Sequence, residues 1–332
     1  MRYIEITERI VTLAEKYRDE LRERKGTSYQ SPDTLLNKLH SDLVDETDKA
    51  YVKLIIDKWE DLIVLTPLEF NGIIGEFNAI IGTDAIKDRK SKTLVDGKEQ
   101  EVTLYDEIVK AMRYGFVQST IYPKYINKLG IKTCVYCNVQ YAYSVSEDEG
   151  YLNYEIDHFL PKSKYPYLCT TFMNLQPSCP TCNKKKSNRD LPDDEELFQL
   201  FVEEGSVDDL SPVEFHMTEE SLATYIATHN NEDIDMCFRD KNNPKLLKGM
   251  DDFFHINTLY KAHKDVVEEL IWKKKIYNQV FMDAYKTLSE DMIFSDVQFR
   301  RFIIGNYDRE EDIHKRPLAK LTQDIAKQLH IM

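Results

Sequence analysis

The stretch 153-NYEIDHFLPKSKYP-166 decides the reading of this chain. Leu152, Tyr154 and Ile156 alternate with polar neighbours as a half-buried strand does, and the alternation ends on adjacent Asp157 and His158 before Pro161. Glu155 shares the face of Asp157 by two-residue spacing and reads equally well as a supporting or a structural carboxylate, so it stays outside the candidate set. An acid beside a histidine at a strand end means little alone; what flanks it gives it weight.

On either side lie two C-x-x-C pairs, Cys134/Cys137 and Cys179/Cys182, separated by the 41 residues from Asn138 to Ser178. Each knuckle lets two thiolates converge on one ion, and four cysteines fill a tetrahedral Zn²⁺ shell with no open position, which makes the expected site structural. The competing reading is a redox dithiol or unrelated buried cysteines. Cys169 and Cys237 are read as small buried hydrophobes.

Period-two spacing of Val139, Tyr141, Tyr143 and Val145 predicts strand character after the first knuckle. A returning strand near Phe172–Gln176 and a short helix from Pro180 bring Asn183 back beside Asp157. A carboxylate and an amide oxygen, completed by water and a phosphate oxygen, suit Mg²⁺ or Mn²⁺ better than Zn²⁺. His158 is then free to take a proton.

The pattern E-x-D-H-x-x-P-x-S followed by N-L-x-P-x-C-x-x-C-N-x-x-K resembles the HNH endonuclease motif of the ββα-metal fold in its zinc-stapled form, over roughly residues 134–189. The resemblance implies that Asp157 binds the catalytic metal, His158 is the general base, Asn183 completes the metal site and Asn174 holds the loop that orients the histidine. It also implies hydrolysis of a phosphodiester to 5′-phosphate and 3′-hydroxyl ends, of DNA by default and of RNA as the alternative. The loop 162-KSKYPYLCTTFM-173 departs from the family in lacking glycine, which bears on its shape rather than its chemistry.

Charge supplies an independent sign. The chain of 332 residues has a net charge of −14, which excludes a global basic surface for nucleic acid. Yet from His158 to Arg189 there is no Asp or Glu, while Lys162, Lys164, Lys184, Lys185, Lys186 and Arg189 are all present. These six are the expected phosphate contacts, against the plainer reading of Lys184–Lys186 as a solvated helix end. The other seven histidines show no ligand spacing, and the tyrosines of 135-VYCNVQYAY-143 read as core packing rather than base-stacking platforms.

Around this insert the chain reads as helical. Ile6, Ile10, Leu13 and Tyr17 fall at helical spacing, Thr66-Pro67-Leu68-Glu69 forms a helix-start signal, and 255-HINTLYKAHKDVVEELIWKKKIYNQVFMDAYKTL-288 is strongly helical. Residues 87–102 read as an exposed excursion carrying a D-G turn. The expected fold is mainly α with a small α+β insert: a helical N-terminal domain at 1–130, a ββα-metal core with a four-cysteine zinc site at 131–190, and a helical C-terminal domain at 191–332.

No apolar run spans a membrane and the N-terminus lacks a signal-peptide pattern, so a cytoplasmic protein is expected. The closed set of four cysteines and the missing H-x-E upstream argue against a zinc deaminase, the rival enzyme reading. A binding module without catalysis is the remaining rival, and it has no use for Asp157, His158 and Asn183 at this spacing. The layout also resembles nuclease subunits of bacterial anti-phage defence systems of the Septu-like kind, which implies an ATPase partner.

Overall fold

The computed structural model describes residues 1–23, 29–95, 97–144, 152–189, 191–278, 280, 281, 283, 284 and 295–331. Val145, one of the expected strand positions, lies outside them, and nothing is described of the side chains of residues 144, 152 and 153.

The N-terminal segment is built from amphipathic helices. In Glu8–Glu23 the residues Ile10, Ala14, Tyr17 and Leu21 are buried at spacings of three and four, while the charged positions between them face outward. Ser31 caps Pro32–Asp42 by accepting from the Thr34 amide, and Asp45 caps Glu46–Val64 by accepting from the Asp48 amide at 3.0 Å. The Thr66 amide donates to Glu69 Oε2 at 2.9 Å, so the expected start signal operates through the tight turn Pro67–Glu69 that leads into Phe70–Asn78.

The excursion at 87–102 is an antiparallel hairpin, Lys90–Val95 against Lys98–Thr103, mostly exposed, with Gly97 at φ 73 in its turn. Leu104–Ala111 follows, and the chain then runs through a wider turn at Val117–Ile121 into Tyr122–Leu129, where Gly130 at φ 73 closes the helix.

Beyond residue 190 the structure adds strands that helical periodicity did not announce. Phe201–Glu203 pairs in parallel with Ile4–Ile6, so the chain departs from the expected helical register at Ile6 and the first helix begins only at Glu8. Val213–Met217 pairs antiparallel with Met236–Asp240. The long helical stretch expected from residue 255 is divided: His255 takes a left-handed conformation at φ 52, Ile256–Lys261 forms one helix and Lys264–Ile276 the next.

One hydrophobic cluster joins these parts, and it grips the segment that carries the motif. The Phe172 ring lies 5.3 Å from Tyr17 and 5.7 Å from Phe201. Tyr17 donates its hydroxyl to the Thr170 carbonyl at 2.9 Å, Thr171 to the Leu62 carbonyl at 2.7 Å, and Tyr122 to the Leu175 carbonyl at 2.6 Å. Buried groups of this kind fix backbone position, because an unmet partner in the core is costly. The helices therefore clamp the strand on which the site is assembled.

Candidate nuclease site

The strand Glu155–His158 pairs antiparallel with Leu175–Ser178 in the register Glu155 with Ser178, Asp157 with Gln176 and His158 with Leu175. Cys179 follows at once and caps the helix Pro180–Lys186, its Sγ accepting from the Cys182 amide at 3.5 Å. Pro180 suits the first helical position, where no N–H is needed.

The first knuckle sits against the same hairpin. Val135 donates its amide to the Pro177 carbonyl at 3.2 Å, and Asn138 turns the chain out of the knuckle at φ 52. The sulfurs of Cys134, Cys137, Cys179 and Cys182 lie within 4.8 Å of one another and all four residues are buried. All six cysteines are free thiols. A buried set of four sulfurs at that separation is a donor set that suits a tetrahedral Zn²⁺. An ion held there would join the start of the helix to the chain ahead of the hairpin.

Helix and strand then meet lengthwise. Asn183 donates its amide to Glu155 Oε2, and Lys186, one turn on, reaches Asp157, two residues on along the strand. Three helical residues advance ~4.5 Å and two strand residues ~6.6 Å, and the long Lys186 side chain spans the difference. Asn183 thus stands beside the strand face that carries Asp157. Its Oδ1 accepts no hydrogen bond among the described residues, leaving a hard amide oxygen near a carboxylate, which fits a divalent cation such as Mg²⁺ or Mn²⁺.

Asp157 is 4% exposed. The Tyr136 hydroxyl donates to its Oδ2, and Lys186 lies 3.0 Å from Oδ2 and 3.3 Å from Oδ1. Burial pushes the Asp157 carboxyl above its ordinary value, against the pull of Lys186 and Tyr136. Tyr136 itself accepts from Gln176 Nε2 at 2.6 Å.

His158 is buried and its Nε2 lies 2.9 Å from the Cys169 carbonyl oxygen. A carbonyl only accepts, so Nε2 carries the hydrogen and Nδ1 keeps the lone pair. Burial first, then the nearby Lys162, lowers the imidazole to about 3 and keeps it neutral. The Tyr114 ring stands 5.0 Å from it. Burial pushes the Cys169 thiol up to about 12, so that residue contributes its carbonyl and not a thiolate.

Asn174 is fully buried in the loop's foundation. Its Oδ1 accepts from the Leu160 amide at 2.7 Å, and its Nδ2 donates to the carbonyls of Leu160 and Leu168, each at 3.1 Å. This pins both ends of the glycine-free loop and, through Leu168, the neighbouring Cys169 carbonyl that His158 uses.

The basic residues separate into different surroundings. The Lys162 ammonium lies 4.1 Å from the centre of the Tyr114 ring, close to His158, while Lys164 faces Asp84 at 3.6 Å. The Arg189 guanidinium covers Phe253 at 4.3 Å. Lys184 is exposed and Lys185 half-buried at the helix end, whereas Lys186 is 3% exposed and turned inward. Motif reading missed Tyr136 and Gln176, and it placed Lys186 only as a phosphate contact. Its three-residue spacing from Asn183 was the available signal for an inward position.

Residues 134–189 match the family model for HNH endonuclease. They form an HNH endonuclease domain. A 57-residue stretch is 44% identical to the Septu protein PtuB of Bacillus thuringiensis, covering 17% of this chain and 20% of that relative. The chain thus spans about a fifth of the curated relative it matches. No solved structure matches the chain. Among the described residues no helix is long and apolar enough to cross a membrane.

Proposed function

We propose that the protein is a metal-dependent endonuclease that hydrolyses phosphodiester bonds, with DNA as its substrate, its HNH core at residues 131–190 carried between flanks at 1–130 and 191–332 that are mainly helical and also hold short paired strands. The observation that carries this reading is the buried His158, its Nε2 held by the Cys169 carbonyl so that Nδ1 is left to accept a proton, adjacent in sequence to the buried acid Asp157 and supported by the HNH match.

In this reading Asp157 and the Asn183 amide oxygen hold Mg²⁺ or Mn²⁺, and the four cysteines hold Zn²⁺. Bound there, the divalent ion supplies Lewis-acid stabilisation of the charge that builds on the phosphate and the leaving oxygen. His158 Nδ1 takes the proton of the attacking water, while Cys169 and Asn174 keep the ring in place. Lys162, Lys164, Lys184, Lys185, Lys186 and Arg189 are the proposed phosphate contacts, offering positive charge where the chain is otherwise acidic.

The likeness to a Septu protein supports a role as the nuclease effector of a cytoplasmic anti-phage complex, with an ATPase subunit as partner. Net charge supports the need for help in holding substrate, since a −14 chain repels long polyanions.

The test is cleavage of plasmid, linear and single-stranded DNA and of RNA with Mg²⁺ or Mn²⁺, wild type against His158→Ala. Metal-dependent nicking lost in the variant is expected. Full cleavage by His158→Ala would overturn the assignment.

A further inference from the structure

Lys186 does something its neighbours do not. Lys184 and Lys185 stand at the helix end with exposed or half-buried side chains, but the Lys186 side chain is 4% exposed and spans both Asp157 oxygens. Its third bond goes to the His158 carbonyl at 2.6 Å. The ammonium therefore sits between the acid proposed as metal ligand and the backbone of the residue proposed as base.

We infer that Lys186 is a displaceable counter-ion of Asp157, so that a divalent cation must compete with it for one carboxylate, and that a substrate phosphate assists by receiving the displaced ammonium. The inference rests on the nuclease reading and deepens it: metal and nucleic acid bind cooperatively because a single lysine links their sites.

Three features support it. A divalent ion and an ammonium cannot both hold the same carboxylate oxygens in a buried place without strong like-charge repulsion. The lysine is the last residue of its helix, Ser187 leaves the helix at φ 48, and a four-carbon stem lets the charge swing while the helix stays docked. The ammonium also needs an anion when it leaves, because a buried cation without a partner is costly; the other carboxylate on that strand face, Glu155, already accepts from Asn183, and the stretch from His158 to Arg189 holds no acidic side chain. A phosphodiester is the anion that the proposed reaction brings to that place.

The test uses the full-length, zinc-loaded protein in a His158→Ala background, so that DNA is not cut, and follows Mn²⁺ binding by the paramagnetic resonance of the free ion. A short DNA duplex is expected to tighten Mn²⁺ binding by about tenfold, within the usual range for coupled sites. Lys186→Met is expected to bind Mn²⁺ about tenfold tighter without DNA, to lose the tightening by DNA, and to gain more thermal stability from Mn²⁺ than its parent does.

Asp157→Asn separates the ideas. Mn²⁺ binding that needs Asp157 but is unchanged by Lys186→Met overturns the inference and leaves the metal site standing. Binding that ignores Asp157 overturns both. Should Lys186→Met lose its zinc and fail to fold, the comparison with and without duplex in the parent decides, and equal affinities there overturn the inference.

Discussion

Tyr136 lies between the two cysteines of the first knuckle and donates its hydroxyl to the carboxylate of Asp157, so the four-cysteine cluster and the acid of the hairpin share one hydrogen-bonded unit. Gln176, directly opposite Asp157 in the hairpin register, donates to the same phenolic oxygen. Its own Oε1 accepts from the Leu200 amide, which carries the unit into the segment after the helix. The knuckle thus sets the orientation of Asp157 as well as presenting sulfur.

Tyr136→Phe keeps the ring and its stacking on Phe254, at 4.6 Å between centroids, and removes only the hydroxyl. A lost hydrogen bond to a charged group costs about 1.5–3 kcal/mol. The variant is expected to unfold earlier in urea by that order while retaining its zinc, and to cleave more slowly because Asp157 loses one of its two holders. Wild-type stability together with wild-type cleavage would show the hydroxyl to be idle.

Asn174→Ala tests the loop. The change leaves the Leu160 amide and the carbonyls of Leu160 and Leu168 without their side-chain partner, at about 1–3 kcal/mol for a buried group that stays unsatisfied. Denaturation should register that loss, and cleavage should fall further than Mn²⁺ affinity does, since Asn174 bonds next to the Cys169 carbonyl that holds His158 and bonds neither of the proposed metal ligands, Asp157 and Asn183.

The sequence made the strand ending in Asp157 and His158, the helix start at Pro180 and the four-cysteine set legible, because each has a local signature: period two, a proline at a helix start, paired knuckles; the return strand expected near Phe172–Gln176 runs instead over Leu175–Ser178, after a tight turn at Phe172–Asn174. The link between Ile4–Ile6 and Phe201–Glu203 was not legible. A three-residue strand is too short to show a period, and its partner lies some two hundred residues away. The hairpin Val213–Met217 with Met236–Asp240 was hidden for another reason, a capped helix inserted between its strands. Tyr136 read as a packing aromatic, and its ring does pack; only the fold shows where its hydroxyl points. The run Lys184–Lys186 read as three equivalent phosphate contacts, yet helical rotation sends its third member inward onto Asp157.

Lys184 and Lys185 therefore become the pair to change for substrate binding. Lys184→Ala with Lys185→Ala should leave stability within about 0.5 kcal/mol, as surface changes do, and weaken binding to duplex DNA. The slope of log affinity against log salt should shrink by roughly 0.9 for each phosphate that is no longer neutralised. An unchanged slope returns these lysines to the role of a solvated helix end.

His314 gives a pH prediction remote from the hairpin. Its Nε2–H donates to the Arg2 carbonyl at 2.8 Å, and burial lowers the ring from 6.5 to about 3. The folded protein holds it neutral, whereas the unfolded chain takes up a proton below pH 6.5. Its contribution is thus complete above pH 6.5 and is lost as pH falls toward 3, at up to about 1.4 kcal/mol per unit. Urea midpoints at pH 7.5 and 4.5 should differ less in His314→Phe than in wild type; an equal difference would remove His314 from the acid response.

Zinc removal should reach well beyond the residues that match the HNH family. Tyr260 donates to the Cys137 carbonyl at 2.6 Å, and Asn138, in its left-handed turn, accepts from the Leu318 amide at 2.7 Å and from the Lys320 amide at 3.0 Å. It also donates to the Ile313 carbonyl at 2.9 Å. The first knuckle is therefore the anchor for two C-terminal segments, and its shape depends on four sulfurs being held together. Stripping the metal, or changing Cys134 to Ser, should raise amide exchange at residues 313–320 and 256–261 along with the knuckles, while Glu46–Val64 keeps its protection. If only the knuckles lost protection, the C-terminal segments would be held by their own core, and the metal would be a local staple.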